Sequence, residues 1–501
     1  MAQLTGGSGR VDLGRGYSIT VPGMRGSAEL REGAADNRSR STDAETELLG
    51  EALARVDMAQ IAAVDVVTAP VPGDRSAGAM RDTRGDDALL LEVPDLGPEA
   101  GQVVLMVDEA GALSWHFPDD VDAPAAPADR GAGSKKRFLI PNRIPPAPPA
   151  GQGDRSLVGA IGRKLLKVIV YPVTDAIVGK TAAWIAEHWE SRNRAYGLRT
   201  FTPANYQQST REPADRDALA LTSADVAALS KGPALFFVHG TFSTANSAFG
   251  QIPPGLMTEL HQRYEGRVFA FNHFSLSHDP ARNVLELQTA LTALAARKLT
   301  VDVVCHSRGG LVARHLASVP ALQVRRIVFC GVPNKGTLLA QPDHMIHMID
   351  RLSTVVNLLP AGGVTDFLDG LLIGVKIVGH GALKGLEGLA SMNPNGPFLK
   401  ALNVATAHQT EYFAIAANYE PKDPGLRSMV ASGVNAAVDR IFQKAENDLV
   451  VPEAGVHENN GGFGFPIPPE RSLRIPASAG IMHTSMFGHA DVVAKLKEWL
   501  I

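Results

Sequence analysis

Short apolar runs alternate with amphipathic stretches from Gly232 to the end of the chain. Apolar residues at three- and four-residue spacing predict helices, and short continuous apolar runs predict buried strands. The predicted helices include Val284–Arg297 and Gly310–Val319. The predicted strands are Ala234–His239, Arg267–Asn272, Val301–Cys305, Val324–Cys330 and Glu411–Ala417. This alternation predicts an α/β domain over residues 231–501, built on a mostly parallel, doubly wound sheet.

The first part of the chain has a different pattern. Tyr17–Val21 predicts a short strand, and Thr42–Val67 is rich in helix-forming residues. Three further apolar runs predict a small β-meander: Ala88–Val93, Val103–Val107 and Ala112–Phe117. Residues 118–154 are dense in Pro, Ala and Gly, which is typical of a linker. We therefore expect a small α+β accessory domain at residues 1–117, with its meander at 88–117, and then a linker over 118–154.

Residues 155–230 predict a helical connector that packs on the α/β domain of residues 231–501. Apolar residues at helical spacing predict its first helix, namely Leu157, Ile161, Leu165 and Val168. Thr174 is a candidate N-cap for a second helix with Ile177, Trp184, Ile185, His188 and Trp189 on one face. Basic amphipathic helices of this kind can lie on a membrane surface. Packing against a neighbouring domain is the interpretation that we favour.

Composition sets broad limits on the function. The chain has 501 residues, 45% of them hydrophobic and 20% charged, with a formal net charge of −4. These values are ordinary for a globular protein of several domains and give no reason to expect a nucleic-acid partner. Cys305 and Cys330 lie in apolar runs, so we expect reduced core thiols. The sequence has neither a signal-peptide pattern nor an apolar run long enough for a transmembrane helix, and we expect a cytoplasmic protein.

The richest motif is Val301–Leu316, in which a predicted strand, a tight turn and a predicted helix follow one another. Ser307 stands at the centre of the turn. This is the pattern of a nucleophile elbow, G-x-S-x-G, in which small residues two before and two after the serine let the strand and the helix pack closely. Gly309 fits the pattern, and Cys305 replaces the first glycine. The alternative is a buried serine at an ordinary turn of a parallel sheet.

A serine nucleophile needs a base, an acid that orients the base, and N–H donors for the oxyanion. The apolar run that ends in His239-Gly240 predicts a turn at which the backbone N–H of Thr241 joins that of Arg308 as an oxyanion donor, with Phe242 as the alternative to Thr241. His483, on a predicted loop before the last helix, is the candidate base, and His489 is the alternative. His239 and His306 lie inside the turn motifs, where a structural role is the simpler expectation.

The candidate acid is Asp448, in the segment Glu446–Pro452 that follows a late strand. Asp343, Asp366 and Asp369 are less favoured, because they lie in an apolar insertion at residues 338–399. The apolar residues of this insertion exceed what an ordinary loop buries. We favour a cap with a mobile lid over an apolar cleft, and the alternative is a helical pair that completes the core.

Several motifs in order resemble the lipase-type α/β-hydrolases, the group of triacylglycerol lipases and PGAP1-like esterases. They are F-V-H-G-T, C-H-S-R-G-G-L-V-A-R, F-C-G-V-P-N-K-G-T, N-D-L-V-V-P and H-T-S-M, and they cover residues 231–501 only. Leu399–Asn403 resembles the segment that closes the lipase cap. The resemblance implies the α/β-hydrolase fold with a helical cap, and a triad of Ser307, Asp448 and His483.

The resemblance and the motifs together lead us to expect a serine hydrolase that cleaves carboxylic esters through an acyl-enzyme, with a hydrophobic or lipid-like acyl group. Such a mechanism requires neither a metal nor a cofactor. The same triad serves acyltransferases, thioesterases and amidases. A different class of function is a binding or signalling scaffold with a non-catalytic hydrolase domain.

Overall fold

The computed structural model describes residues 1–7, 9–32, 43–70, 88–108, 113–119, 134–141, 162–173, 181–341, 344–357, 365–380, 386–404, 409–419, 445–459 and 461–501. Within these ranges, no helix combines the length and the apolar character that crossing a bilayer requires.

Strands before residue 173 form two antiparallel sheets. The strands are β1 (Ala2–Thr5), β2 (Val11–Gly14), β3 (Tyr17–Thr20), β4 (Met24–Glu32), β5 (Ala59–Pro70), β6 (Ala88–Pro94), β7 (Ala100–Asp108), β8 (Leu113–His116), β9 (Lys135–Pro141) and β10 (Gly162–Pro172). One sheet has the order β1-β4-β5-β10-β7-β8 and the other the order β2-β3-β6-β9. Leu91 and Phe138 of the second sheet share a buried core with Val64 and Val104 of the first. The two sheets therefore pack face to face, and we call β1–β10 the N-terminal sandwich.

The rest of the chain is organised around a mixed sheet. Its strands are β11 (Gly197–Thr200), β12 (Ala234–Val238), β13 (Val268–Asn272), β14 (Leu299–His306), β15 (Leu322–Cys330), β16 (Glu411–Ala417) and β17 (Ser472–Ile475). The order is β11-β13-β12-β14-β15-β16-β17, in which β11 is antiparallel to β13 and the other neighbours are parallel. Every residue of β12 and β13 is buried, because both faces of the sheet are covered.

Helices cover both faces of this sheet. The helices of the described residues are α1 (Asp43–Arg55), α2 (Ala182–Asn193), α3 (Pro213–Leu219), α4 (Ser223–Leu229), α5 (Ala245–Phe249), α6 (Pro254–Arg263), α7 (Pro280–Ala293), α8 (Gly309–Leu316), α9 (Met345–Asn357), α10 (Thr365–Gly379), α11 (Glu387–Ala390), α12 (Pro397–Asn403), α13 (Ala454–His457) and α14 (Ala490–Leu500). Val303 of β14 packs on the face of α7 and α8, and Val304 packs on the face of α6 and α14. The sheet is therefore doubly wound, as the alternation of elements predicts.

Two helices of the segment between β15 and β16, α9 and α10, lie between this sheet and the N-terminal sandwich; we call them the insertion helices. Helix α9 contacts β8, and α10 contacts α1 and β7. Val103 and Ile169, on the outer face of the six-stranded sheet, share one hydrophobic core with Leu371 and Val375 of α10. The sandwich, the insertion helices and the mixed sheet therefore form successive layers.

The prediction of a helix around Leu165 and Val168 is wrong. Both residues lie in β10, which pairs with β5 on one side and β7 on the other. A central strand covered on both faces carries apolar residues at many positions, so it can imitate helical spacing. The second predicted helix exists as α2, but it begins after Thr181. Thr174 and Ile177 lie outside the described residues.

Other differences also concern the N-terminal sandwich. Residues 59–70 form β5 instead of continuing a helix, and β9 lies within the predicted linker. Strand β6 pairs with β3 and β9 rather than with β7, so residues 88–117 do not form a meander. These strands are specified by partners distant in the chain, which local patterns do not reveal. The sandwich consequently extends to Pro172, past the predicted limit of residue 117.

Candidate active site

Ser307 occupies a sharp turn between β14 and α8. Its backbone φ is 53°, a left-handed value that costs a non-glycine residue energy, and its N–H donates to the Cys330 carbonyl at 3.0 Å. A Cβ on Gly309 would lie 2.3 Å from the His239 carbonyl oxygen, so the helix can approach only because this residue is glycine. Cys305 is fully buried beneath the turn, and its thiol donates to the Val328 carbonyl. The turn has the geometry of a nucleophile elbow.

His483 and Asp448 form a buried pair. The Nδ1 of His483 lies 2.7 Å from the Oδ2 of Asp448. The other carboxylate oxygen of Asp448 accepts the N–H groups of Val450 at 3.0 Å and Val451 at 2.8 Å. The backbone N–H of His483 also donates to the Asp448 carbonyl at 3.0 Å. The carboxylate is thus fixed on both oxygens, and the imidazole is left with Nε2 for other chemistry.

Ser307 and His483 line the same cavity, which is partly open, so that its atom-free space of about 790 Å³ includes some open solvent. The polar part of its wall includes Thr241, Ser243, Ser247, Gln251 and Thr484. The apolar part includes Met348, Leu352 and Phe367 of the insertion helices, Met392 after α11, and Val450 of residues 446–452, which we call the acid loop. The cavity therefore places a serine hydroxyl and an imidazole beside a mainly apolar wall.

The turn after β12 carries the candidate oxyanion donors. The Phe242 N–H donates to the Ser275 hydroxyl at 3.0 Å, so this alternative donor already has an acceptor. Within the described part of the chain, the N–H groups of Thr241 and Arg308 have no acceptor. Phe242 has a φ of 60° and Leu449, next to Asp448, a φ of 83°. Strained residues thus flank the site on three separate loops, as is frequent at functional sites.

Residues 193–501 match a protein family described as a domain of unknown function, DUF7379. The chain belongs to this family. No curated protein matches the chain in sequence. The DUF7379 region contains the mixed sheet, the insertion helices and every candidate catalytic residue, whereas the N-terminal sandwich and most of α2 precede it.

Solved structures similar to part of the chain include lipases. The Bacillus licheniformis lipase BlEst2 in mature form is 16% identical, with 54% of this chain and 91% of that chain covered and a TM-score of 0.30. Lipase 1 from Pelosinus fermentans is 11% identical, with 53% and 97% covered and a TM-score of 0.37. An α/β-hydrolase fold protein from Chitinophaga pinensis is 15% identical, with 54% and 88% covered and a TM-score of 0.29. These likenesses carry no argument about activity, which must come from the geometry of the DUF7379 region.

Three histidines near the site brace its loops. His239 stacks on His273 with ring centroids 4.1 Å apart and accepts the His273 N–H at Nε2. The Nε2 of His306 donates to the His483 carbonyl at 2.9 Å. Burial lowers the pKa of both His239 and His306 to about 3, so both are neutral at pH 7. His489 accepts the Asp491 N–H at the start of α14.

The alternative acids have other partners. Arg211 pairs with Asp366 at 2.9 Å and with Asp369 at 2.7 Å, and Arg55 of α1 also pairs with Asp369. Asp343 lies outside the described residues. Among the described candidates, Asp448 is the one that meets His483. The described residues also contain no group of three or more His, Cys, Asp or Glu side chains suited to a metal ion.

Sequence reasoning missed two buried charges that support the site. The Glu190 carboxylate, on α2, accepts the N–H groups of Ser275, Leu276 and Ser277. The Arg308 guanidinium, fully buried, donates to the Gly388 carbonyl at 2.8 Å, and burial lowers its pKa to about 10. Glu190 lies on the same face of α2 as the buried Ile185 and Ala186, and this position in the helical pattern could have identified it from the sequence.

Proposed function

We propose that this protein is a serine hydrolase of carboxylic esters. Ser307 is the nucleophile, His483 the general base and then acid, and Asp448 the residue that orients His483. The observation that carries the proposal is that a strained serine shares a cavity with a histidine whose Nδ1 is held 2.7 Å from a buried carboxylate. Backbone strain of this kind costs folding energy and is frequent at functional sites. The three side chains also match the composition of a Ser-His-Asp triad.

Each group has a defined role in the reaction. The Oγ of Ser307 attacks the ester carbonyl carbon while Nε2 of His483 takes the hydroxyl proton. The resulting oxyanion accepts the N–H groups of Thr241 and Arg308. The tetrahedral intermediate collapses, the ester C–O bond breaks, and the leaving alcohol takes the proton from His483. Water then attacks the acyl-enzyme by the same route, which releases the carboxylic acid and restores Ser307.

The apolar lining of the cavity favours a substrate with a hydrophobic acyl group. Met348 and Leu352 of α9 and Phe367 of α10 face the space beside Ser307. We propose that the insertion helices cap this space and that the acyl chain lies against them. The resemblance to PGAP1-like esterases in particular rests on the sequence motifs alone, and it too is a proposal.

A fluorophosphonate probe tests the nucleophile directly, because it phosphonylates an activated serine without requiring knowledge of the substrate. We expect the unmodified protein to be labelled and Ser307→Ala not to be labelled. Ser318→Ala is the control, since Ser318 is exposed at the end of α8 and outside the cavity. Absence of labelling of the unmodified protein, or equal labelling of Ser307→Ala, would falsify the proposal and favour a non-catalytic scaffold.

A series of p-nitrophenyl esters from acetate to palmitate tests the acyl group. We expect kcat/KM to rise from acetate to medium or longer chains, because each methylene buried against the insertion helices strengthens binding of the transition state. A maximum at acetate would contradict a hydrophobic acyl group while leaving the serine mechanism intact.

A further inference from the structure

The N-terminal sandwich holds helix α9 through Trp115. The backbone N–H of Trp115, in β8, donates to the Asp350 carboxylate at 2.7 Å. Its indole Nε1–H donates to the Ser353 hydroxyl at 2.9 Å. Trp115, Asp350 and Ser353 are all at most 4% exposed. One side chain and its backbone therefore fix the position of this helix against the sandwich at two points one turn apart.

The same helix contacts the loop that carries the candidate acid. Arg351, the residue after Asp350, is 2% exposed, and its Nε donates to the Leu449 carbonyl at 2.9 Å. Leu449 follows Asp448 directly and has a left-handed φ of 83°. That conformation costs energy in leucine, and the buried bond to Arg351 helps to offset it.

The remaining bonds of the acid loop are largely internal to the loop and the triad. Leu449 N–H donates to the Asn447 side chain, and the Asp448 carboxylate accepts the Val450 and Val451 N–H groups. The Thr337 hydroxyl donates to the Val450 carbonyl from outside the loop. The Tyr419 N–H also donates from outside, to the Asn447 carbonyl at 2.8 Å. Among these outside contacts, Arg351 supplies a charged one, on the residue that follows Asp448.

We propose that Arg351 is a positioning residue for Asp448, and that Trp115 holds the helix from which Arg351 acts. The N-terminal sandwich then completes the active site of the DUF7379 region, although it contributes no group to the reaction. This inference rests on the proposed function, because Asp448 matters here as the acid of the triad. A purely structural role for Arg351 would lower stability without slowing the folded enzyme.

The test compares the rate of fluorophosphonate labelling of the full chain and four variants at a temperature where all are folded. Arg351→Gln removes the positive charge. Arg351→Lys keeps the charge on a single ammonium group, which can still donate to a carbonyl. Trp115→Leu removes the indole bond and the ring. Lys376→Met is the matched control: Lys376 of α10 is buried and donates to the Val56 carbonyl at 2.9 Å, so it also joins an insertion helix to the N-terminal region, but it does not contact the acid loop.

We expect Arg351→Gln and Trp115→Leu to be labelled about 10-fold to 100-fold more slowly than the unmodified protein, the loss that misplacement by a fraction of an ångström to one ångström produces. Arg351→Lys should recover most of the rate, and Lys376→Met should keep it. With the best p-nitrophenyl ester, kcat should fall in Arg351→Gln with KM little changed, because substrate binding is not the step affected.

Equal labelling rates for Arg351→Gln, Trp115→Leu and Lys376→Met would overturn the inference. In that case, labelling of the unmodified protein would still support the proposed function. No labelling of the unmodified protein would overturn both. If Arg351→Gln does not fold, Ser353→Ala replaces it, since this change removes only the hydroxyl that accepts the indole N–H. A rate at least about threefold below that of Lys376→Met then supports the inference, and a rate equal to it overturns the inference.

Discussion

The Glu190 carboxylate accepts both the hydroxyl hydrogen of Ser277 at 2.6 Å and its backbone N–H at 3.0 Å, deep inside the protein. The other carboxylate oxygen accepts the N–H groups of Ser275 and Leu276. The Ser275 hydroxyl in turn accepts the Phe242 N–H, in the turn that carries the candidate oxyanion donor Thr241. A residue of α2 thus orders a loop of the DUF7379 region, and the loop orders the turn beside Ser307.

Glu190→Gln should destabilise the protein by about 2 kcal/mol, because the amide NH₂ group would face backbone donors that now have a carboxylate oxygen. Urea unfolding measures the change, and the fluorophosphonate labelling rate should fall with it. Glu187→Gln is the control one turn earlier. Glu187 is 42% exposed, and one of its oxygens contacts Arg282 at 2.8 Å and His278 at 3.3 Å. An amide oxygen can still accept from both side chains, so this change should cost less than about 1 kcal/mol. Equal unfolding midpoints for the two variants would contradict this role for Glu190.

Gly309→Ala should destabilise the protein by about 3 kcal/mol or prevent folding, because a Cβ there would collide with backbone oxygens. Its distances to the oxygens of His239 and Val238 would be 2.3 and 2.4 Å. Gly255→Ala is the matched control in a helix: a Cβ there meets nothing within 4 Å, and the change should stabilise α6 by roughly 0.5 kcal/mol. The free energy of unfolding in urea distinguishes them, and a tolerated Gly309→Ala would refute the close approach of helix and turn.

Acid should destabilise the protein through its buried neutral histidines. The pKa of His306 is about 3 in the folded protein because of burial, against an ordinary value of 6.5. The unfolded chain therefore takes up a proton below pH 6.5 that the folded protein does not bind until about pH 3. Stability is fully present above the higher value and is lost as the pH falls, by about 1.4 kcal/mol per pH unit for each such histidine.

His306→Gln should remove the contribution of one proton to this slope between pH 6 and pH 4. Glutamine has no proton to take up in this range, and its side-chain amide nitrogen reaches the position of the imidazole Nε2, from which it can donate to the His483 carbonyl. The free energy of unfolding, measured in urea across the pH range, gives the two slopes. Parallel curves for the variant and the unmodified protein would mean that His306 is protonated in the folded state.

Leu352→Trp should shorten the acyl chain that the cavity accepts, because the larger side chain occupies space beside Ser307. We expect kcat/KM to fall at least about tenfold for the longest esters that the unmodified protein hydrolyses, with acetate changed by less than about twofold. Leu285→Trp is the control, since Leu285 is 61% exposed on α7, away from the cavity. An equal loss for all chain lengths would place the acyl chain elsewhere.

The α/β region could be read from the sequence because its strands are short, apolar and separated by amphipathic helices. Predicted strands such as Arg267–Asn272 and Val324–Cys330 differ from the observed ones by one or two residues. The N-terminal sandwich could not be read in the same way. Strand β10 is defined by its bonds to β5 and β7, and its partner residues lie at least 56 positions away in the sequence, as Asp108 does from Lys164.

The same distinction between local patterns and distant contacts applies to the candidate site. The sequence by itself determined the elbow around Ser307 and the order of Asp448 and His483, since these depend on local motifs and on their succession along the chain. Only the tertiary structure decided that Asp366 and Asp369 are ion-paired with Arg211, and that the Phe242 N–H already has an acceptor. It also decided the hydrogen-bond partners of Glu190, Arg351 and Trp115, because folding brings these partners together from distant parts of the chain.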